Sequence, residues 1–122
     1  MGKFVIRTTK TGFTFQLKAG NGEAIATSEV YSSLDSCKNG IASVQKNAPI
    51  APIEDLTAAE PKAEKCPKFE LYEDKAGKFR FRLKAGNGEP IAASEPYSGK
   101  ESCKNGIDSV KRNAPDAEIA EE

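Results

Sequence analysis

Apolar and polar side chains alternate along four short segments of this chain, two near its start and two just past its middle. The inward positions are Phe4/Ile6/Thr8, Phe13/Phe15/Leu17, Phe69/Leu71 and Phe79/Phe81/Leu83. A period of two residues is typical of strands with one buried face. The pattern therefore predicts two antiparallel strand pairs with matching inner faces.

The loops that join these strands differ by one residue. Facing Phe69 with Leu83 leaves a three-residue loop that ends at Gly77, where glycine tolerates a positive φ. The same rule faces Phe4 with Leu17 and leaves a shorter loop around residues 10–11. The length difference thus belongs to the turn, and we expect the same core register in both halves.

A third strand follows a second turn, written LKAGNGE at residues 17–23 and again at residues 83–89. A two-residue Asn-Gly turn would face Leu17 with Ala26 and leave Ile25 outside. A three-residue turn over residues 20–22 faces Leu17 with Ile25 instead. Because burying an isoleucine is worth about 2 kcal/mol, we predict the second register.

A helix is predicted after each third strand. The motif S-x-x-D/E, a capping box, makes Ser32 and Ser98 the predicted N-caps. The apolar stripes then predicted to cover the sheet are Cys37/Ile41/Val44/Ala48 and Cys103/Ile107/Val110/Ala114. Gly40 and Gly106 interrupt these stripes, and we expect them to let the helix approach a strand backbone. Prolines at positions 49 and 115 end the helices, and short strands are predicted within residues 50–56 and 116–120.

The two halves are copies of one another: residues 17–49 and 83–115 are identical at 24 of 33 positions, without a gap. The predicted organisation is repeat 1 at residues 1–56, a linker at 57–67 and repeat 2 at 68–122, each repeat being β-β-β-α-β. Half the chain buries too little apolar surface alone. We therefore predict an α+β fold in which the repeats form one compact domain, with one shared antiparallel sheet, two helices on one face and a pseudo-twofold axis.

Several motifs in both repeats resemble those of the YegP-like family. They are Lys3-Phe4, LKAGNGE, Ser28-Glu29-Val30-Tyr31, Lys38-Asn39-Gly40-Ile41-Ala42-Ser43-Val44 and Asn47-Ala48-Pro49. The resemblance implies tandem repeats that form a single sheet, with the last strand of each repeat exchanged onto the other. It also implies single-copy relatives that dimerise to the same shape, and it brings no established activity.

Composition narrows the function classes. The 18 Lys and Arg balance the 18 Asp and Glu, so no net field favours nucleic acid or an anionic membrane. Histidine, the commonest general base and metal ligand, is absent. We expect a cytoplasmic, monomeric, non-enzymatic protein without cofactor or metal, whose cysteines are reduced. Cys37 and Cys103 are interpreted as packed apolar residues; activated nucleophiles or a redox disulfide are the alternatives.

Polar residues that recur unchanged in both repeats give the candidate binding surface. They are Lys18, Glu29, Tyr31, Lys38 and Asn39, with Lys84, Glu95, Tyr97, Lys104 and Asn105. Folding explains them less readily than it explains Asn21, whose turn requires it. The hypothesis is a binding or interaction module, for a protein or a small ligand, with two equivalent polar surfaces. The alternative is a recent duplication that has drifted unevenly.

A basic stripe with an aromatic residue suggests a second candidate function, weak nucleic-acid binding. The residues are Tyr72, Arg80, Arg82 and Lys84 on the outer sheet face of repeat 2. The predicted register places Glu70 opposite Arg82 and Asp74 opposite Lys78, which partly neutralises the stripe. Repeat 1 has Thr14 and Gln16 at the matching positions, so such a site would be one-sided. A thiol-dependent enzyme is a third hypothesis.

Overall fold

The computed structural model describes residues 2–58 and 63–121, which form one sheet of eight strands covered by two helices. Repeat 1 contains β1 (Lys3–Thr8), β2 (Phe13–Lys18), β3 (Ala24–Thr27), α1 (Leu34–Asn47) and β4 (Ile53–Asp55). Repeat 2 contains β5 (Lys68–Glu73), β6 (Phe79–Lys84), β7 (Pro90–Ala93), α2 (Lys100–Asn113) and β8 (Glu118–Glu121). The predicted linker lies partly outside the described residues, which omit 59–62.

The sheet order is β4-β5-β6-β7-β3-β2-β1-β8, so the repeats meet at β3 and β7 and exchange their last strands. Repeat 1 supplies β4, which pairs with β5, and repeat 2 supplies β8, which pairs with β1. The shared sheet and the exchange are therefore confirmed. The exchanged strands pair in parallel, so the sheet is mixed where a wholly antiparallel one was expected.

Both first hairpins have the predicted register. Phe4 pairs with Leu17, and Phe69 pairs with Leu83. Gly77 has a φ of 80°, as the three-residue loop of repeat 2 requires. In repeat 1 the shorter loop closes with a hydrogen bond from the Thr9 amide to the Gly12 carbonyl. The one-residue difference is confined to the turn.

The prediction for the second hairpin is wrong, because the strand contains a β-bulge. Leu17 pairs with Ala26 and Lys18 with Ala24, so Ile25 is an extra residue in β3. The bulge buries Ile25 and Ala26 together, which strict alternation does not allow. Repeat 2 has the same bulge between β6 and β7. The turn itself is tight, with Gly22 at a φ of 87°.

The helices form as predicted but begin one residue later than the capping boxes implied. Ser33 caps α1, and its hydroxyl accepts the Ser36 amide at 3.1 Å. Gly99 occupies the corresponding position in α2 and has no side chain with which to cap. The assignment of Ser32 and Ser98 as N-caps is therefore wrong.

One apolar core joins both repeats. It contains the inward residues of both sheet halves together with the predicted stripes of both helices, including Cys37, Ile41, Cys103 and Ile107. Because both helices contribute to the same cluster, they lie on the same face of the sheet. Each helix also crosses the repeat boundary: α1 contacts β7, and α2 contacts β3. Among the described residues, no helix is long and apolar enough to span a membrane.

Candidate functional site

Two tyrosines connect the core to the surface at equivalent places in the two repeats. Tyr31 forms an antiparallel bridge with Phe13, and its ring stacks on Phe15 with centroids 6.1 Å apart. Its hydroxyl reaches the helix at Gly40, where an added β-carbon would overlap it. Tyr97 repeats these contacts at Gly106. The expectation that these glycines admit a strand backbone is wrong, because a tyrosine side chain fills the space.

A cleft of about 560 Å³ opens beside Tyr31, with walls that come from different repeats. Repeat 1 contributes Glu29, Tyr31, and Asn39 and its neighbours on α1. Repeat 2 contributes Asn87, Glu89 and the hairpin between β6 and β7. The second LKAGNGE segment therefore lines a cleft together with the tyrosine of repeat 1. This juxtaposition exists because α1 packs across the repeat boundary on β7.

The charges around the tyrosines indicate the same arrangement in the other half. Burial raises the pKa of Tyr31, and repulsion from Cys37, Glu29 and Glu89 raises it further. The pKa of Tyr97 is raised in the same way by burial and by Cys103, Glu23 and Glu95. Each phenol thus lies near one glutamate of its own repeat and one from the hairpin of the other.

The structure brings together only part of the predicted surface. Glu29, Tyr31 and Asn39 line the cleft, whereas Lys18 and Lys38 do not. Lys38 lies 3.6 Å from Glu121 on β8, in an ion pair that joins the two repeats.

The matching residues of repeat 2 divide in a similar way. Glu95 and Tyr97 belong to the second tyrosine site, and Asn105 has the same place on α2 as Asn39 has on α1. Lys84 lies on the outer sheet face, 3.2 Å from Glu70, and Lys104 lies in α2. The two lysine positions on the strands are therefore separate from the clefts.

Some recurring residues now have a structural explanation. The Ser28 hydroxyl accepts the Phe15 amide and donates to the Glu29 carbonyl, and Ser94 makes the same bonds in repeat 2. Asn21 accepts the Glu23 amide in its turn. The exposed carboxylates of the clefts have no such contact: among the described residues, no salt bridge or hydrogen bond involves the carboxylate of Glu29 or Glu89.

Glu89 and its counterpart Glu23 were missed as candidate site residues. Both recur unchanged in the sequence, which was a usable signal, but their place in a turn motif concealed it. Nothing in the sequence of one hairpin indicates that it faces the helix of the other repeat. That information comes from the order of strands in the sheet.

The predicted nucleic-acid stripe is present on the outer face of β5 and β6, but its cations are paired. Arg80 bonds Asp74 at 2.8 Å, and Arg82 bonds Glu70 at 2.6 Å while lying 4.6 Å from the Tyr72 ring. Glu70 also meets Lys84 at 3.2 Å. Asp74 lies opposite Lys78, as predicted, and its backbone amide donates a hydrogen bond to the Lys78 carbonyl. The Asp74 carboxylate, however, pairs with Arg80.

Two buried carboxylates, those of Glu54 and Glu70, share Lys68 on the outer face of β4 and β5. Lys68 lies 2.7 Å from Glu54 on β4 and 3.4 Å from Glu70 on β5, and all three side chains are at least 87% buried. The pKa values of Glu54 and Glu70 are both lowered. The hydrogen bond from Lys68 is the main cause for Glu54. Burial raises the pKa of Glu70, but the hydrogen bonds from Arg82 and Lys84 together outweigh it. The cluster ties the exchanged strand β4 to repeat 2.

The cysteines are free thiols with different surroundings. Cys37 and Cys103 are buried in the core, and Cys66 is partly exposed. Burial raises the pKa of Cys37; burial and the nearby Asp55 raise the pKa of Cys103 to about 11. Both buried thiols are therefore largely protonated at neutral pH, which is unfavourable for nucleophilic attack.

A second cavity of about 570 Å³ lies beside the start of β1. Its charged lining residues are Lys3, Asp116 and Glu118. Repeat 1 has Ile50 and Pro52 where repeat 2 has Asp116 and Glu118. The contacts of Tyr31 recur at Tyr97, whereas the charged lining of this second cavity does not recur in the other repeat, so the tyrosine sites are the stronger candidates.

The family described as "Domain of unknown function (DUF1508)" matches this chain twice, at residues 9–55 and 74–121. The chain is 41% identical to a UPF0339 protein of Stutzerimonas stutzeri over 98% of its own length and 96% of the relative's. It is also 41% identical to UPF0339 protein YegP of Escherichia coli, covering 88% of the chain and 84% of YegP. A Treponema denticola UPF0339 protein is 63% identical over 54 residues, which are 44% of this chain and 93% of that protein.

Two solved structures are similar to the whole chain. The solution NMR structure of Escherichia coli YegP has a TM-score of 0.82 and 36% identity, covering 99% of this chain and 92% of that one. The solution NMR structure of the Shewanella oneidensis UPF0339 protein SO3888 has a TM-score of 0.81 and 35% identity, with coverages of 98% and 90%. The eight-stranded architecture is thus shared with experimentally determined folds.

Proposed function

Since this chain belongs to the UPF0339 family of tandem DUF1508 proteins, whose names state no activity, we propose from its geometry that it is a non-enzymatic binding module. Its proposed binding sites are the cleft beside Tyr31 and the equivalent surface beside Tyr97, where residues of both repeats also meet. The observation that carries the proposal is the cleft beside Tyr31, where recurring polar residues of repeat 1 meet the recurring hairpin of repeat 2. The duplication then produces two similar sites on one rigid sheet.

The chemistry of the described residues favours binding over catalysis. The chain has no histidine, and the two core thiols have raised pKa values. The described residues contain no cluster of three or more side chains suited to a metal ion. Native-state alkylation tests this part of the proposal. We expect Cys66 to react and Cys37 and Cys103 to stay unmodified; rapid modification of either core thiol would favour a thiol-dependent enzyme.

An NMR-monitored screen of fractionated small metabolites tests the binding proposal. We expect an active fraction to shift the amide signals of Tyr31, Asn39 and Asn87, and also those of the equivalent residues Tyr97, Asn105 and Asn21. Asn39→Leu changes one cleft without touching the core, because Asn39 is exposed, and Asn105→Leu is its matched control in the other cleft. Shifts confined to the outer face of β5 and β6 would contradict the proposal.

Nucleic-acid binding through Tyr72, Arg80, Arg82 and Lys84 remains the alternative proposal. The carboxylate partners of the three cations oppose it, because an incoming phosphate has to compete with Asp74 and Glu70. We expect single-stranded oligonucleotides to bind weakly and with the same affinity to an Arg80→Ala/Arg82→Ala variant. A large, salt-dependent loss in that variant would establish the alternative.

We also propose that the module works in the cytoplasm as a monomer. Three free thiols suit a reducing compartment, and the exchange of strands within one chain satisfies both sheet halves without a second copy. Cell fractionation and light scattering of the purified protein test the two statements separately.

A further inference from the structure

The cleft beside Tyr31 has an acidic, uncompensated lining. Glu29 enters it from the loop before α1, and Glu89 from the hairpin between β6 and β7. Both carboxylates act on the same phenol, although they belong to different repeats. The residues that line this cleft include no lysine or arginine. Two carboxylates from different repeats therefore line one cavity, and among the described residues neither of them forms a salt bridge.

The rest of the lining suits a ligand that is only partly polar. Asn39, Asn87 and the hydroxyl of Ser43 offer hydrogen-bond partners, while Ile91 and the Tyr31 ring provide apolar surface. An alkyl chain with a charged end matches this combination, because its stem contacts the apolar wall while its head meets the carboxylates. An inorganic cation would leave the apolar wall unused.

We propose that this cleft binds an organic cation, a primary ammonium or guanidinium group on a short alkyl stem, held between Glu29 and Glu89. The inference rests on the proposed binding function and specifies its ligand class. Such a group occurs both in free alkylamines and in lysine or arginine side chains of peptides. The shared chemistry is a head group with several N–H donors facing carboxylates and amide oxygens.

The surroundings of the two tyrosines differ in their charged residues, and this difference predicts unequal affinities. The hydrogen bond to Asp74 is the main cause that raises the pKa of Arg80, and the charge of Glu95, beside Tyr97, adds to it. Repeat 1 has Thr14 at the position of Arg80, so Glu29 lacks this neighbour. Arg80 therefore competes with a ligand for the Glu95 carboxylate, whereas Glu29 has no such neighbour at position 14, and we expect the Tyr31 cleft to be the tighter site.

Titration with putrescine tests the proposal on the intact protein. The chain has three tyrosines and no tryptophan, and two of those tyrosines are at the clefts, so tyrosine fluorescence and amide shifts both report on the sites. We expect shifts at Tyr31 and Glu89 at lower concentrations than at Tyr97. Diacetylputrescine, which has the same stem without charge, is expected to cause no comparable shift. A second titration uses a peptide that contains a single lysine. Comparing its affinity with that of putrescine shows whether the site prefers a lysine side chain or a free amine.

Two glutamine variants, which keep the shape of glutamate and remove its charge, test whether these carboxylates bind the cation. Glu29→Gln and Glu89→Gln are each expected to weaken putrescine binding about two- to fivefold, the range for an exposed charge pair. Glu73→Gln, an exposed glutamate on β5 outside the cleft, is the matched control and is expected to change nothing. Arg80→Thr gives repeat 2 the residue of repeat 1 and is expected to strengthen binding at Tyr97 relative to Tyr31.

The outcomes separate this inference from the proposed function. Binding of putrescine that is equal in the wild type and both glutamine variants would overturn the inference, as would binding of diacetylputrescine with the same affinity. A neutral or anionic metabolite that shifts the cleft amides while neither cation does so would overturn the inference and leave the binding function standing. If no compound or fraction shifts either cleft, both proposals are wrong.

Discussion

The hydroxyl of Tyr31 occupies the space above Gly40 that a β-carbon would need, and Tyr97 and Gly106 repeat the relationship in the second half. Because Gly40 has no side chain, α1 leaves room for the Tyr31 ring that lines the cleft. The Phe15 ring is also close, with one edge atom 3.1 Å from the position of the missing β-carbon. Core packing and the candidate site therefore depend on the same residue.

Replacing Gly40 with alanine is expected to destabilise the protein by up to about 2 kcal/mol. Overpacking costs about 1 to 3 kcal/mol, and the better helix propensity of alanine returns about 1 kcal/mol. Urea unfolding at neutral pH measures the change. In a Tyr31→Phe background the hydroxyl is gone, so the same substitution should cost less. A Gly40→Ala protein as stable as the wild type would show that Tyr31 moves away freely.

The surroundings of Gly40 could be predicted from the sequence only in part. The stripe spacing correctly predicts the buried face of α1, because Ile41 and Val44 are apolar at helical intervals. A gap in that stripe indicates close approach, but does not identify the approaching group. Tyr31 lies nine positions earlier in the chain and outside any regular element, so no periodicity connects it with Gly40.

The two hairpins of each repeat show a similar contrast. The register of Phe4 with Leu17 follows from the pattern, because only one alignment buries every large apolar side chain. The bulge at Ile25 does not, because two consecutive apolar residues, Ile25 and Ala26, both enter the core. Strict alternation forces a choice between them. The strand order brings the two repeats together at the cleft. It depends on long-range packing, so the alternation of residues within one strand does not predict it.

Glu70 is expected to stabilise the outer face of repeat 2. Its carboxylate contacts Lys68, Arg82 and Lys84, and repeat 1 has Val5 at the equivalent position. Glu70→Val should lower the free energy of unfolding by about 2 kcal/mol, because it leaves several cations near an apolar side chain. Urea unfolding measures the loss.

A combined variant provides the control for Glu70. Glu54→Ala/Glu70→Val/Arg82→Gln gives this face the residues that stand at the equivalent positions in the other half of the sheet, which are Ala120, Val5 and Gln16. The variant removes both carboxylates together with Arg82, while Lys68 and Lys84 remain, as Lys3 and Lys18 do at the equivalent positions of repeat 1. We expect the triple variant to be more stable than the sum of its single losses predicts. Strict additivity would mean that the carboxylates do not act as one cluster.

Acid is expected to weaken the fold through carboxylates that are paired in the native state. Burial raises the pKa of Asp55, but hydrogen bonds from Lys100 and Thr57 outweigh it and bring the pKa to about 2, against a usual 3.8. A lowered native pKa adds stability above the unfolded value, and this stability is lost as the pH falls from about 4 towards 2. The pKa values of Glu54, Glu70 and Asp74 are lowered as well, so their contributions to stability are also lost on acidification.

Urea midpoints measured from pH 7 to pH 2.5 test this dependence. Asp55→Asn is expected to be about 1 to 2 kcal/mol less stable at neutral pH, after allowance for partial exposure, and to lose less on acidification. Asp108→Asn is the control, because its pair with Arg112 is exposed and worth a few tenths of a kcal/mol. Parallel pH curves for the wild type and Asp55→Asn would contradict the assignment.

The separated repeats are expected to fold only together. Neither residues 1–58 nor residues 63–122 contain the partner of their own last strand, since β4 pairs with β5 and β8 with β1. Each half alone also exposes the apolar face that the other covers. Circular dichroism of the dilute halves should show little cooperative structure, and an equimolar mixture should regain the native spectrum.

A dimer of one repeat 1 half with one repeat 2 half should also be more stable than a dimer of two identical halves. The reason is that β4 and β8 each have side chains suited to the other repeat. Glu54 on β4 meets Lys68, and Asp55 meets Lys100 at the start of α2, where repeat 1 has Leu34. On β8, Ala120 pairs with Val5, an apolar match that Glu54 in the same place would disrupt. Native mass spectrometry of the mixture should therefore show mostly heterodimer. A cooperative melt of either half as a monomer would instead mean that one repeat forms a sufficient core by itself.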